Sequence, residues 1–160
     1  MMVKSILTSL IALIFLTPAL EAQTAVDRSA FYQAMASGST TALSKQLEIT
    51  KEAKGTDKEA LQGALLMRKS KSQKTAGQKL SMFKQGHRLL EGAISKEPAN
   101  VEYKFLRLMI QEHAPKIVGY YKNIAEDAKI LKASYKSLSS AVQKALLAYS
   151  NTSNALKGLH

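Results

Sequence analysis

The 160-residue sequence contains no cysteine and no tryptophan, and it has only three prolines. Without cysteine the chain cannot form a disulfide, a thiolate metal site, a thiol nucleophile or a lipid-modified N-terminal cysteine. Small exported domains often need disulfides to remain folded, so this chain must be stabilised by its hydrophobic core alone. The scarcity of proline and the lack of strand-like alternation favour a helical protein.

Acidic residues are missing from two long stretches of the chain, whose formal net charge is +11. The second stretch begins at Ala128 and holds five lysines between residues 129 and 157. The first runs from Ala60 to Leu90 and holds seven basic residues: Arg68, Lys69, Lys71, Lys74, Lys79, Lys84 and Arg88. We interpret these seven as candidate anion-binding residues, because a basic face raises the local concentration of anions.

Catalytic motifs are missing as well. The sequence has no serine-hydrolase elbow, zinc-protease motif, phosphate-binding loop or dinucleotide-binding motif. His87 and Glu91 lie four residues apart on a predicted helix and could face one metal ion, but zinc enzymes generally use three protein ligands. We interpret His87 as a histidine at the edge of the core. The sequence therefore predicts a protein without catalytic residues, metal ligands or a bound cofactor.

The N-terminal residues are typical of a secretory signal peptide. Lys4 precedes an apolar run over residues 6–16, and the stretch TPALEA follows, with Ala19 and Ala22 as the small residues at the candidate cleavage sites. The run is about half of the ~20 residues that a membrane-spanning helix needs. We predict a signal peptide over residues 1–22, cleaved after Ala22 or after Ala19. An uncleaved N-terminal anchor is the alternative.

The remainder, residues 23–160, is predicted to be a single helical domain. The helical pattern fades near the C terminus, so we predict a loose tail over residues 150–160. No stretch after the signal peptide is long and apolar enough to span a membrane. We expect the domain to be exported, either to a periplasm or as a secreted protein.

Capping signals mark the first helices of this domain. Asp27 is predicted to cap a first helix, and Ser39 or Thr40 a second. The stretch TDKE, from Thr56 to Glu59, matches a capping box in which each of these two side chains would bond the backbone amide of the other.

The fourth and fifth predicted helices have the clearest apolar patterns. Pro98 separates them, and Asn100 is placed to cap the fifth, which is apolar on a wide arc and is therefore predicted to be central. Steps of three and four residues place five side chains of the fourth helix on one face: Leu80, Phe83, His87, Leu90 and Ile94. A sixth helix over residues 124–138 and a last one over 142–149 follow.

Residues 80–108 resemble one helical hairpin of the tetratricopeptide repeat family. Ala93 and Pro98 match the small residue and the closing proline of that repeat, and Gly86 matches the small position seven residues before Ala93. Lys74 and Gly77 depart from the pattern, and no second unit follows. The resemblance implies antiparallel neighbouring helices. We predict an all-α fold of six to seven short antiparallel helices, arranged as an irregular bundle or a short tetratricopeptide-like solenoid.

Two functions are consistent with these observations. The first is a non-enzymatic interaction module of the cell envelope that holds a protein or peptide, with Tyr120 and Tyr121 as candidate groove residues. The alternative is a basic surface that binds anionic lipid or glycan through residues 68–88 and 129–157. Nucleic acid is disfavoured as a partner, because the aromatic residues lie at core-like helical spacings rather than on a stacking surface.

Overall fold

The computed structural model describes residues 26–159, and this part of the chain is all-α, as predicted. The predicted signal peptide lies outside the described residues. Residues 26–159 contain no strand and form seven α-helices: α1 (Arg28–Ser37), α2 (Thr40–Ile49), α3 (Gly55–Ser70), α4 (Ala76–Lys96), α5 (Val101–Gln111), α6 (Ile124–Ser134) and α7 (Ser140–Ser150). None of these helices combines the length and the apolar character that crossing a membrane requires.

The helices form a closed bundle. From α1 to α6 each helix packs on the next along the chain, α5 also packs on α3, and α1 packs on α7. Because the first and last helices meet, the described chain does not continue as an open solenoid. Helix α5 is central, as predicted, with Phe105, Leu106 and Leu108 completely buried.

Local capping produces several of the predicted helix boundaries. The Asp27 carboxylate accepts hydrogen bonds from the backbone amides of Ser29 and Ala30, and Gly38 ends α1 with a φ of 64°. Asn100 accepts from the amide of Tyr103 and begins α5. These contacts satisfy backbone donors and acceptors that a helix end leaves unpaired.

The predicted capping box at residues 56–59 is wrong. Helix α3 begins at Gly55, and its N-cap residue makes no side-chain capping bond. The Glu59 carboxylate instead accepts from the Lys96 ammonium at 2.7 Å. Hydrogen bonds from Thr56 and Asn100 lower the pKa of Glu97. Both side chains of the predicted box are therefore directed toward the end of α4.

Helices α3 and α4 form the most intimate pair in the bundle. They run antiparallel and cross where Gly63 faces Gly86. A Cβ atom added to Gly86 would lie 2.5 Å from the carbonyl oxygen of Gly63 and 2.9 Å from the amide nitrogen of Met67. The two backbones touch directly, which only glycine permits at this distance.

A buried ion pair joins α5 to α6. The Arg107 guanidinium donates to both carboxylate oxygens of Asp127, at 2.7 and 2.8 Å, and also to Glu91 on α4. Asp127 lies in the first turn of α6 and is fully buried, where Arg107 reaches it from α5.

The C-terminal residues differ from the predicted loose tail. Residues 151–159 follow α7 as a series of turns, and they bury Leu156 and Leu159 in the core. The backbone amide of Ala155 donates to Glu112 at 3.1 Å, and Lys132 donates to the carbonyl of Lys157. The apolar helical periodicity of the sequence fades after residue 150, but Leu156 and Leu159 are still packed in the core.

The predicted sixth helix is shorter than expected. Helix α6 ends at Ser134, and a 3₁₀ turn over Tyr135–Ser137 leads to the extended residue Leu138. Ser139 then caps α7 by accepting from the amide of Val142.

Candidate functional site

Three surface grooves meet around His113, which follows the last turn of α5. Each groove has His113 in its lining, and their linings contain seven other basic side chains: Arg68, Lys71, Lys79, Lys116, Lys129, Lys132 and Lys144. Glu112 is the one acidic residue in these three linings. Its carboxylate accepts from the Tyr149 hydroxyl at 2.7 Å and from the amide of Ala155. We call this cationic end of the bundle the His113 face.

The most apolar of the three grooves lies between the end of α3, the start of α4 and the end of α5, and we call it the α4 groove. Its volume is about 370 Å³. The polar lining residues are Ser70 and the four basic residues Arg68, Lys71, Lys79 and His113, and none is acidic. The other ten are apolar: Met67, Ala76, Leu80, Phe83, Met109, Ile110, Ala114, Pro115, Ile117 and Val118. The groove therefore has an apolar floor and a cationic rim.

The α4 groove exists because α5 is shorter than α4. Phe83 is buried in the core, whereas Leu80, one turn earlier on the predicted apolar stripe, is 43% exposed. Helix α5 ends at Gln111, and the chain then turns through Pro115 and the 3₁₀ turn Lys116–Val118. The first two turns of α4 therefore border the groove, with Ala76, Leu80 and Phe83 in its lining.

Positive charge is crowded beside this groove. Partial burial lowers the pKa of His113, and the charges of Lys71 and Arg68 lower it further. Partial burial also lowers the pKa of Lys71, again with a contribution from Arg68. The Arg68 guanidinium is held in place because it donates to the carbonyl oxygens of Met35 and Ala36 at the end of α1.

The other two grooves extend the His113 face. One, of about 510 Å³, lies between α1 and α7 and shares Arg68, Met109 and Ile110 with the α4 groove. The other, of about 1320 Å³, lies over α6 and the C-terminal turns and includes Lys129 and Lys132.

The predicted anion-binding residues separate into two groups. Arg68, Lys71 and Lys79 line the α4 groove. The remaining four do not line any of the three grooves: Lys69, Lys74, Lys84 and Arg88. The fold also places lysines of the second basic stretch, Lys129, Lys132 and Lys144, on the His113 face. Parts of both acid-free stretches are thus brought to one end of the bundle.

The two candidate groove tyrosines have different positions. Tyr120 is buried, its ring contacts Phe83 and His87 edge-on, and its hydroxyl donates to Glu91. Burial raises the pKa of Tyr120, and the charge of Glu91 raises it further, so the hydroxyl remains a donor. Tyr121 is 55% exposed and lines the groove over α6.

His87 lies at the edge of the core and contacts Tyr120. Glu91, four residues later on the same helix, accepts hydrogen bonds from Arg107 and Tyr120. Within residues 26–159 no three histidine, aspartate or glutamate side chains converge as a metal site would require.

Several residues that line the α4 groove were not among the predicted site residues, notably Ile117 and His113. Ile117 is 95% exposed although it is strongly apolar. The sequence does indicate that Ile117 is exposed, because an isoleucine between Pro115 and Gly119 lies in a turn and not in a buried helix.

No protein-family model, curated protein or solved structure matches this chain.

Proposed function

We propose that this chain is an exported, non-enzymatic binding module whose ligand is an anionic amphiphile. The apolar part of the ligand would lie in the α4 groove, and its anionic group would lie between Lys71 and Lys79. The observation that carries this proposal is an apolar groove bordered by four basic side chains and no acid. The class includes free fatty acids and anionic lipids.

Size and charge both support this ligand class. Small-molecule sites generally have volumes of about 300–1,000 Å³ and apolar linings with a few polar groups. The α4 groove, at about 370 Å³, is at the lower end of that range. Partial burial is the main cause of the lowered pKa values of Lys71 and His113, and neighbouring positive charge lowers both further; a bound anion would counter this second effect.

A protein or peptide partner, the first expectation from the sequence, has less support. A stable protein interface buries about 800 Å² on each partner around an apolar core. Only Leu80 and Ile117 of the strongly exposed apolar residues border the α4 groove. Two such side chains suit an alkyl chain better than a protein surface.

The non-enzymatic part of the proposal is supported by the contacts of two acids at the helix interfaces. The buried Asp127 is bonded to Arg107, and the half-buried Glu102 is bonded to Arg28 and to the Tyr32 hydroxyl. Both carboxylates are thus engaged by other side chains of the fold.

Calorimetric titration with monomeric dodecanoate tests the proposal. We expect binding to residues 23–160, weaker binding of octanoate because fewer methylenes are buried, and much weaker binding of neutral dodecyl maltoside. The double variant Lys71→Gln/Lys79→Gln should weaken dodecanoate binding by tenfold or more, since each charge contributes about 1 kcal/mol. Vesicles containing phosphatidylglycerol, added in place of dodecanoate, distinguish membrane lipid from free fatty acid as the source.

The matched control is Lys74→Gln/Lys84→Gln, which removes the same charge from the same basic stretch but outside the groove. We expect it to change dodecanoate affinity less than about twofold. Equal losses in both double variants would reduce the effect to overall charge and contradict the proposed site, as would no binding of dodecanoate. A partner protein recovered from the native envelope and retained at high salt would favour the protein-binding alternative.

A further inference from the structure

The outer edge of the α4 groove carries the most exposed apolar side chain of the described residues. Ile117 lies at the tip of the Lys116–Val118 turn and is 95% exposed. Tyr121, four residues later, is 55% exposed. We call residues 116–122 the apolar tip. Exposing an isoleucine to water is unfavourable relative to burying it.

The apolar tip is held firmly in place by the residue between its exposed side chains. Tyr120 is buried against Phe83 and His87, and its hydroxyl donates to Glu91 on α4. Gly119, with a φ of 66°, allows the chain to turn back toward the core at this point. The exposure of Ile117 therefore results from an anchored turn and not from a segment without tertiary contacts.

Positive charge borders the tip on both sides. Lys116 and Lys122 are exposed, and residues 113–125 contain no acid. Lys79 lies on the opposite edge of the same groove. An apolar side chain and a tyrosine, bordered by lysines, match the chemistry of an anionic membrane interface. There, apolar groups enter the acyl boundary, tyrosine lies at headgroup level, and lysines are attracted to the anionic headgroups.

We propose that the apolar tip inserts Ile117 and Tyr121 into the surface of an anionic membrane, with Lys116 and Lys122 at the headgroups. The mouth of the α4 groove would then face the bilayer, so that an amphiphile could move between membrane and groove without crossing water. This inference rests on the proposed function for the identity of the ligand. Ile117 belongs to both the groove and the tip, whereas Lys116, Tyr121 and Lys122 do not line the α4 groove.

A single tryptophan reports this contact, because the natural chain has none. The variant Ile117→Trp is mixed with phosphatidylcholine vesicles containing roughly one-third phosphatidylglycerol. We expect a blue shift of its emission and quenching by brominated lipid. Pure phosphatidylcholine vesicles should give neither effect. Leu147→Trp, at an exposed apolar position on α7, is the matched reporter and should show no shift.

Charge and apolar contact are then separated within the tip. Lys116→Gln/Lys122→Gln, made in the Ile117→Trp background, should weaken vesicle binding by tenfold or more, whereas Lys74→Gln/Lys84→Gln should change it less than about twofold. Tyr121→Ser should also weaken it, without affecting dodecanoate binding, because Tyr121 does not line the α4 groove.

Two results would overturn the inference: an unchanged emission of Trp at position 117, or an equal shift in the Leu147→Trp reporter. The outcomes remain separable from the proposed function. Dodecanoate binding without tip insertion would support the groove and contradict the membrane contact. Tip insertion without dodecanoate binding would support the membrane contact and contradict the groove ligand.

Discussion

Arg107 carries a positive charge into the middle of the bundle, where its side chain is 8% exposed and that of Asp127 is 0% exposed. Burial alone lowers the pKa of Arg107, but the hydrogen bonds and charge of Asp127, with the charge of Glu91, raise it overall. The guanidinium therefore remains charged, and the carboxylates of Asp127 and Glu91 both stabilise this buried charge. Removing one partner leaves a charge in a poorly solvated position.

We expect Asp127→Asn to lower the free energy of unfolding by about 3–5 kcal/mol, since breaking a buried pair is costly. Urea denaturation followed by far-ultraviolet circular dichroism measures this change. The double variant Arg107→Met/Asp127→Leu, which replaces the pair by apolar groups, should be more stable than Asp127→Asn. Glu48→Gln, which breaks the exposed pair with Lys51, is the control and should cost less than about 1 kcal/mol. A similarly small effect of Asp127→Asn would contradict this account.

At the scale of helices, the α3–α4 pair is limited by backbone contact at Gly63 and Gly86. The neighbours that an added methyl group would meet at Gly86 include main-chain atoms of α3, which cannot move independently. The helices would have to separate, and the core residues on both sides would lose contact.

Two substitutions in the same helix test this contact. Gly86→Ala should destabilise the protein by about 1–3 kcal/mol through overpacking, despite the better helix propensity of alanine. Gly92→Ala lies in α4 with nothing within 4 Å of the added atom, so it should stabilise by up to about 1 kcal/mol. Thermal unfolding of both variants gives the sign of each change. Equal effects of the two substitutions would exclude the close contact.

Helix boundaries were predictable where the capping group is local. Asp27 and Asn100 bond amides two or three residues away, so the sequence pattern contains the whole interaction. Thr75 and Gln78 form a genuine capping box at the start of α4, which the sequence analysis overlooked although the spacing is visible. The box assigned to Thr56 failed because the end of α4, about 40 residues later, offered better partners.

At the scale of the whole molecule, the candidate site was only half predictable. Composition alone reveals the acid-free stretch, and three of its seven basic residues line the α4 groove: Arg68, Lys71 and Lys79. The groove itself depends on where α5 ends relative to α4, and the apolar tip depends on the anchoring of Tyr120 by α4. These are differences in helix length and packing between distant segments, which periodicity within one segment does not contain.

The two ends of the described chain also meet only in the folded molecule. Helix α1 packs on α7, and the turns after α7 pack on the core through Leu156 and Leu159. Glu112, at the end of the central helix, bonds both Tyr149 of α7 and the amide of Ala155. Burial raises the pKa of Tyr149, and the hydrogen bond to Glu112 raises it further, so this hydroxyl stays protonated as a donor. The C-terminal turns therefore complete the bundle and one wall of the His113 face.

Leu156 tests whether these turns are part of the cooperative core. Its side chain is fully buried, so we expect Leu156→Ala to lower the free energy of unfolding by about 2–5 kcal/mol, as in other well-packed cores. Lys157→Ala is the matched control, because its side chain is exposed and only its carbonyl accepts from Lys132. It should change stability by less than about 0.5 kcal/mol. If Leu156→Ala were as mild as Lys157→Ala in urea denaturation, the loose tail expected from the sequence would be the better description. If it is costly, the groove over α6 has a fixed wall, because Asn154 and Ala155 line that groove directly before Leu156.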